Sequence, residues 1–413
     1  MPHVSFASLV VVAAIAVAAP LLVGMFPKIR VPAVVFEIVA GIVVGPHGLK
    51  LVKRVDVPVQ ILALVGLAFL LFLAGLEIDL ERLRGRLLRL AGLGFVATLA
   101  LGLGVGVIFK SAGTVRSPLF LAIALAATSL GLVVTVLKDA GQASTELGQL
   151  TIAASSVADF GAVVLLTLFF SGEHSTGTAA KVVLLVGFAI LAGVAAMALS
   201  RLNRSMRFGN VLVKLQDTTA EIRVRIAVLL LIGFVAMAER FGLETILGAF
   251  IAGGILSLVD RDTSTHPHFR MKLEAIGYGF VVPVFFVTSG LRFDLGALLH
   301  SPSAFARVPL FLLALLVVRG VPAALYRRSV GTRGAVAAGL LQATSLPFIV
   351  TATEIGVLLH LIRPVNGAAL VSAGLLSVVL FPPIALALLR KDTEARPAAA
   401  MPIGLERVSG RPM

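Results

Sequence analysis

Residues 118–137 read PLFLAIALAATSLGLVVTVL, and residues 334–353 read GAVAAGLLQATSLPFIVTAT. Each run is apolar and long enough to approach the ~30 Å of a bilayer's hydrocarbon core. Each also carries the same polar interruption near its middle: Ala127-Thr128-Ser129-Leu130 in the first and Ala343-Thr344-Ser345-Leu346 in the second. Gly131 follows one copy and Pro347 the other. Glycine tolerates unusual backbone angles, while proline removes a donor and crowds the preceding turn. Both runs are therefore expected to be helices that break inside the membrane. The breaks would free carbonyls and hydroxyls and present half-helix ends with partial charge. In a single copy, Thr and Ser would more simply bond their own or a neighbouring helix backbone. Two related copies favour a site.

The repetition extends outward from these runs. Glu37-x-x-x-Gly41 recurs as Glu244-x-x-x-Gly248, and Gly75-Leu76-x-x-Asp79-Leu80 recurs as Gly290-Leu291-x-x-Asp294-Leu295. With the Thr-Ser pattern, three matches stand in the same order at offsets of 207, 215 and 216 residues (244 − 37, 290 − 75, 343 − 127). Each pair lies seven apolar runs apart. An odd separation makes the second copy cross the membrane in the opposite sense, which is the inverted repeat of secondary transporters.

Composition places the whole chain in a membrane. Of 413 residues, 58% are hydrophobic and 14% charged, and the mean hydropathy is +1.04. A soluble protein of this size would need a far more charged surface. About thirteen membrane-spanning helices are expected, an all-α polytopic architecture. Their cores are 4–25, 32–46, 57–75, 90–109, 118–137, 147–170 and 180–200, then 226–239, 243–259, 274–291, 304–326, 334–353 and 365–389. A transmembrane unit over 1–391 then divides into repeat one (4–170), a linking span (180–200), a basic loop (200–225) and repeat two (226–389). A tail over 392–413, rich in Ala, Pro and Arg, is expected to be disordered.

The net charge of +14 would raise the question of nucleic acid in a soluble protein. Here the basic residues sit in short loops, with Arg82, Arg84, Arg86, Arg89, Arg201, Arg204, Arg207, Arg270 and Lys272 all on one side. The positive-inside rule makes that side cytoplasmic, with the N-terminus outside and the C-terminus inside. Nucleic acid is not an expected partner; the lipid bilayer is. The absence of Cys excludes disulfides and thiol chemistry.

Asp159 stands in mid-span, in Ser155-Ser156-Val157-Ala158-Asp159-Phe160-Gly161. An aspartate at that depth costs ~2.5–3.5 kcal/mol on insertion scales, so it is expected to face a cavity or a partner. A carboxylate that holds either a proton or a metal cation is the minimum device for exchange. Ser155, Ser156, Thr128 and Ser129 are its candidate neighbours, with Thr344 and Ser345 as counterparts on the second broken helix. The expected charge partner is Arg319, which stays protonated and so cannot carry the exchanged proton. Snorkelling to the cytoplasmic interface is the alternative for Arg319. Glu37 and Glu244 lie near span ends and are expected to anchor interfaces. Glu77 and Asp79 are assigned to an interfacial turn. Every His falls in a loop or at a span end, so no buried His relay is expected.

These residues carry a family resemblance. FEIVAGIVVGPHGL (36–49), FLAGLEIDL (72–80), ATSLGLVVTVLKDAG (127–141), SSVADFGAVVLL (155–166), PVFFVTSGLRFDL (283–295) and LQATSLPFIVTATEIG (341–356) resemble the monovalent cation:proton antiporter-2 family. Its members include NapA-like sodium/proton antiporters and bacterial potassium-efflux systems. The resemblance implies exchange of protons for Na+ or K+, elevator-type alternating access, a homodimer, a bacterial plasma (inner) membrane and no cofactor. It carries the ion-binding aspartate onto Asp159, with Thr128 beside the transported metal ion, and the opposing basic residue onto Arg319. Electrogenic members have two adjacent acids, whereas Ala158 precedes Asp159 here. One titrating carboxylate implies electroneutral exchange, one proton per cation. A potassium-efflux channel and a sodium-coupled solute symporter are the rival readings. An intramembrane protease is disfavoured, because Val287-Thr288-Ser289-Gly290 lacks the leading Gly of a serine-type turn and Asp159 has no aspartate facing it.

Overall fold

The computed structural model describes residues 6–25, 32–77, 85–170, 178–204, 218, 220–259, 268–293 and 302–394. Among them the architecture is all helical, with one isolated bridge between Val115 and Ile362. The helices are α1 (Ala7–Met25), α2 (Ala33–Val44), α3 (Val57–Leu76), α4 (Gly85–Ser111), α5 (Pro118–Ala126), α6 (Leu130–Asp139), α7 (Glu146–Phe170) and α8 (Thr178–Arg204). They continue with α9 (Ile222–Arg240), α10 (Thr245–Val259), α11 (Phe269–Leu291), α12 (pieces Arg307–Leu315, Leu316–Gly320 and Val321–Tyr326), α13 (Arg327–Gln342), α14 (Pro347–Leu358) and α15 (Pro364–Glu394). Eight helical stretches are long and apolar enough to cross a membrane, and α2, α5–α6, α10 and α14 are shorter apolar helices. Most of the basic loop (205–217), most of the tail (395–413), Arg82, Arg84, Asp79 and Asp294 lie outside the described residues.

Local signals set the boundaries that matter. Ser117 caps α5 by accepting the Phe120 N–H at 3.2 Å, and Pro118 fills the first turn, where no donor is needed. Eight residues later α5 stops at Ala126, and α6 starts at Leu130. In the second repeat, α13 stops at Gln342 and α14 begins with Pro347 at its first turn. Both mid-run interruptions are breaks.

Contacts divide the helices into two bundles. In one, α2 packs on α11, α3 on α10 and α11, and α9 on α10. In the other, α4 packs on α5 and α7, α12 on α4 and α13, and α15 on α12, α13 and α14. Contact between the bundles is sparse beside contact within them.

Glycines let backbones touch in the first bundle. A Cβ on Gly41 would strike the Val287 carbonyl, and one on Gly290 the Ile38 carbonyl. The same pairing recurs between α3 and α10: a Cβ on Gly75 would strike the Phe250 carbonyl, and one on Gly253 the Phe72 carbonyl. Packing thus matches Ala40-Gly41 to Ala252-Gly253, five residues beyond the Glu244-x-x-x-Gly248 pattern read from the sequence. Small residues dictate this register because helices in lipid associate through close backbone approach.

Candidate functional site

Thr128 lies in the α5–α6 break and serves as its hub. Its N–H donates to Asp159 Oδ1 at 2.7 Å, and the Leu130 N–H is a second backbone donor to the same carboxylate. Both N–H groups are free because the break leaves the first turn of α6 without helical acceptors. The Thr128 hydroxyl donates to the Gln342 carbonyl at 2.9 Å, at the end of α13. It accepts from Arg319 through Nε at 3.0 Å and through Nη2. The third guanidinium nitrogen, Nη1, donates to Thr98 on α4 at 3.4 Å.

Arg319 is 1% exposed and lies in the π-helical turn Leu316–Gly320 of α12. It does not snorkel. Nor does it pair directly with Asp159 among the described residues; Thr128 stands between them, its N–H on the acid and its hydroxyl on the base. A wide turn of this kind is frequent at functional positions, and here it carries the one charge in the middle of α12.

The two breaks meet. Ser129 N–H donates to the Thr344 carbonyl at 2.8 Å, and the Leu346 N–H donates to Ser129 Oγ at 3.2 Å. Ser345 N–H donates to Ser377 Oγ on α15 at 3.1 Å. Backbone groups freed by each interruption are thus partly satisfied by the other, as burial in lipid demands. The Thr344 hydroxyl bonds its own helix at Leu340, and Ser156 does the same at Ile152. Ser155 is fully buried one turn before Asp159, and its hydroxyl has no partner among the described residues.

Asp159, 8% exposed, opens onto a cavity of about 510 Å³. Thr128 and Ser129 share the wall, and so do Glu37, Glu77, Arg270 and Tyr278. Of the residues singled out from sequence, Asp159, Thr128, Ser129 and Arg319 come together with the Thr344 carbonyl. Ser156 and the Thr344 hydroxyl are turned to their own helices. Sequence reasoning missed Thr98, Ser377, Glu37 and Glu77. Thr98 had a signal, being the one hydroxyl in the apolar run 90–109. Glu77 was assigned to an interfacial turn, but it closes α3 with Oε2 buried. Glu37 was assigned to an interface anchor, but it is 6% exposed and faces the cavity.

A helical membrane fold with an interior carboxylate set against two touching helix breaks defines a class of ion-handling membrane protein. The chain belongs to the sodium/hydrogen exchanger family: the family described as "Sodium/hydrogen exchanger, transmembrane" matches residues 12–391. A Bacillus subtilis (strain 168) protein, "Putative Na(+)/H(+) antiporter YjbQ", is 32% identical over 410 residues, 95% of this chain. The chain spans 64% of that relative's length. The Bacillus cereus Na(+)/H(+)-K(+) antiporter GerN is 29% identical over 273 residues, covering 63% of this chain and 65% of GerN. The sodium proton antiporter MjNhaP1 of Methanocaldococcus jannaschii has a similar fold, with a TM-score of 0.61 at 18% identity. The match covers 92% of this chain and 97% of MjNhaP1. These relatives are transporters, not enzymes.

Proposed function

We propose that the chain is a secondary antiporter that exchanges protons for a monovalent cation, Na+ or K+, at Asp159. The observation that carries this reading is the Asp159 carboxylate itself, open to a cavity and held by the Thr128 N–H at a helix break. Relatives named for sodium/proton and potassium exchange support the substrate class.

In this reading the carboxylate alternates between a proton and a cation. Protonation neutralises it for one crossing, and a bound cation neutralises it for the opposite one. Arg319, tied to Thr128, holds positive charge beside the acid while neither is bound, and keeps its own proton throughout. Thr128, Ser129 and Ser155 offer oxygens to the cation, and the Thr344–Ser345 break supplies the opposite wall. Ala158 leaves one titrating acid per cycle, so exchange is electroneutral, one proton per cation. Sparse contact between the bundles supports an elevator in which the bundle of α4–α7 and α12–α15 slides against the other. The family resemblance carries over a homodimer in a plasma membrane, and the distribution of basic residues puts the N-terminus outside.

The test is counterflow in proteoliposomes. A proton gradient alone is expected to drive Na+ or K+ uphill, with no response to an imposed membrane potential. Flux only down the cation's own gradient would identify a channel, and potential-dependent exchange would refute the one-to-one stoichiometry.

A further inference from the structure

The repeat relates four charged residues at the ends of the helices that meet between the bundles. Glu77 follows the last residue of α3, and Arg292 follows the last residue of α11, 215 positions on (292 − 77). Lys138 lies in the last turn of α6, and Glu354 lies on α14, 216 positions on (354 − 138). These are the offsets that align the Gly-Leu-x-x-Asp-Leu and Ala-Thr-Ser-Leu patterns. Each repeat thus carries an acid and a base at matching positions, with the signs exchanged. In each couple one member belongs to the bundle of α2, α3 and α9–α11, the other to the bundle of broken helices.

An inverted repeat sets the couples at opposite ends of the fold. They differ in register. Arg292 Nη1 lies 3.6 Å from Glu354 Oε1, so the couple away from the cavity is made. The Glu77 carboxylate lies instead at the first turn of α6, where a Cβ on Gly131 would stand 3.2 Å from Oε1. Lys138 is seven residues further along that helix (138 − 131), about 10 Å at 1.5 Å per residue. It acts on Glu77 from a distance: Glu77 Oε2 has no hydrogen-bond partner among the described residues, and both side chains line the open cavity. Arg270 and Glu274 also act on Glu77, but they sit on α11 in its own bundle and pair with each other at 2.9 Å. Only Lys138 changes place relative to Glu77 when the bundles slide.

We infer that the two couples are alternating gate pairs. Arg292–Glu354 closes one mouth while Glu77 and Lys138 stand apart. A slide of about two helical turns then makes Glu77–Lys138 and parts Arg292 from Glu354. One direction of slide does both, because α6 and α14 run from the breaks toward opposite ends. The inference rests on the sliding bundles proposed above and names what holds each end state. Partly exposed pairs are weak, enough to bias two states about two- to fivefold without trapping either.

The experiment uses the full chain, which has no Cys of its own, in lipid nanodiscs. Val134→Cys places a thiol in the cavity wall on α6, and its labelling rate by a soluble thiol reagent reads how much of the time the cavity is open. Arg292→Glu sets like charges against each other in the made pair and is expected to slow labelling about threefold. Exchanging the couple, Arg292→Glu with Glu354→Arg, is expected to restore the rate. Adding Lys138→Glu to Arg292→Glu is expected to restore it too, by weakening the opposite gate. Independently, Glu77→Cys with Lys138→Cys is expected to bridge through a mercuric ion, which requires the ~10 Å offset to close. That arm keeps the test open if a charge variant fails to fold. Native labelling in Arg292→Glu, no recovery in the exchanged couple, or absence of the mercuric bridge would overturn the gate pairs. All of these read position rather than flux, so their failure leaves exchange at Asp159 standing. Native exchange by Asp159→Asn would sink the antiport reading alone.

Discussion

Replacing Thr128 by Val removes the hydroxyl that joins the two broken helices to Arg319 while keeping the backbone N–H on Asp159. The hydroxyl makes three contacts, one donated to Gln342 and two accepted from the guanidinium. Neutral interhelical hydrogen bonds in membranes average only ~0.6 kcal/mol, so the Gln342 bond alone would barely register. Arg319 changes the scale. Bonds to a charged group are worth roughly 1.5–3 kcal/mol, and this one is buried with Thr98, at 3.4 Å, as its remaining hydrogen-bond partner among the described residues. The expected loss is about 3 kcal/mol, close to a hundredfold in an equilibrium constant. Thr128→Ser keeps the oxygen and loses one methyl, about 0.8 kcal/mol. The assay is thermal unfolding of purified protein alongside exchange in liposomes. Thr128→Val should unfold at markedly lower temperature than Thr128→Ser and exchange more slowly. Equal stability and equal rate in the two variants would refute the bridging role.

Two further outcomes follow from packing and charge. Gly290→Ala drives a methyl into the Ile38 carbonyl across the α2–α11 contact and is expected to destabilise by about 1–3 kcal/mol, whereas Gly104→Ala, with open space around it, should be near neutral; thermal unfolding of both variants checks this. Arg292, at the end of α11 far from Arg270, lies 3.6 Å from Glu354 on α14 and so ties the two bundles together on the face away from the cavity. The pair is partly exposed, so Arg292→Gln should cost under about 1 kcal/mol of stability. It should nonetheless make cysteines introduced on that face more accessible to a membrane-impermeant thiol reagent.

An apolar run read from the sequence overlies each described helix, because apolar runs and breakers are local signals. Thr128 and Thr344 were found for the same reason: polar residues in mid-span stand out against Leu, Val and Ala. The bridge that Thr128 forms between Asp159 and Arg319 was not legible, since it depends on α5, α7, α12 and α13 meeting at one point. Glu37 and Glu77 were misjudged from their positions near helix ends. In a fold whose short helices α2, α6 and α14 begin at the cavity wall, a helix end is not a membrane surface. The repeat register slipped by five residues at Glu244 because Glu-x-x-x-Gly is a weak pattern in a glycine-rich chain, whereas the backbone contacts at Gly41 and Gly253 are steric and admit one alignment.

The central claim is that one acid, Asp159, takes proton and cation by turns. Liposomes carrying an internal pH dye, loaded with the native chain or with Asp159→Asn and challenged with Na+ or K+, measure it directly. Cation-driven proton movement is predicted for the native chain and none above protein-free liposomes for the asparagine variant. Native-level signals from the folded variant would contradict the account.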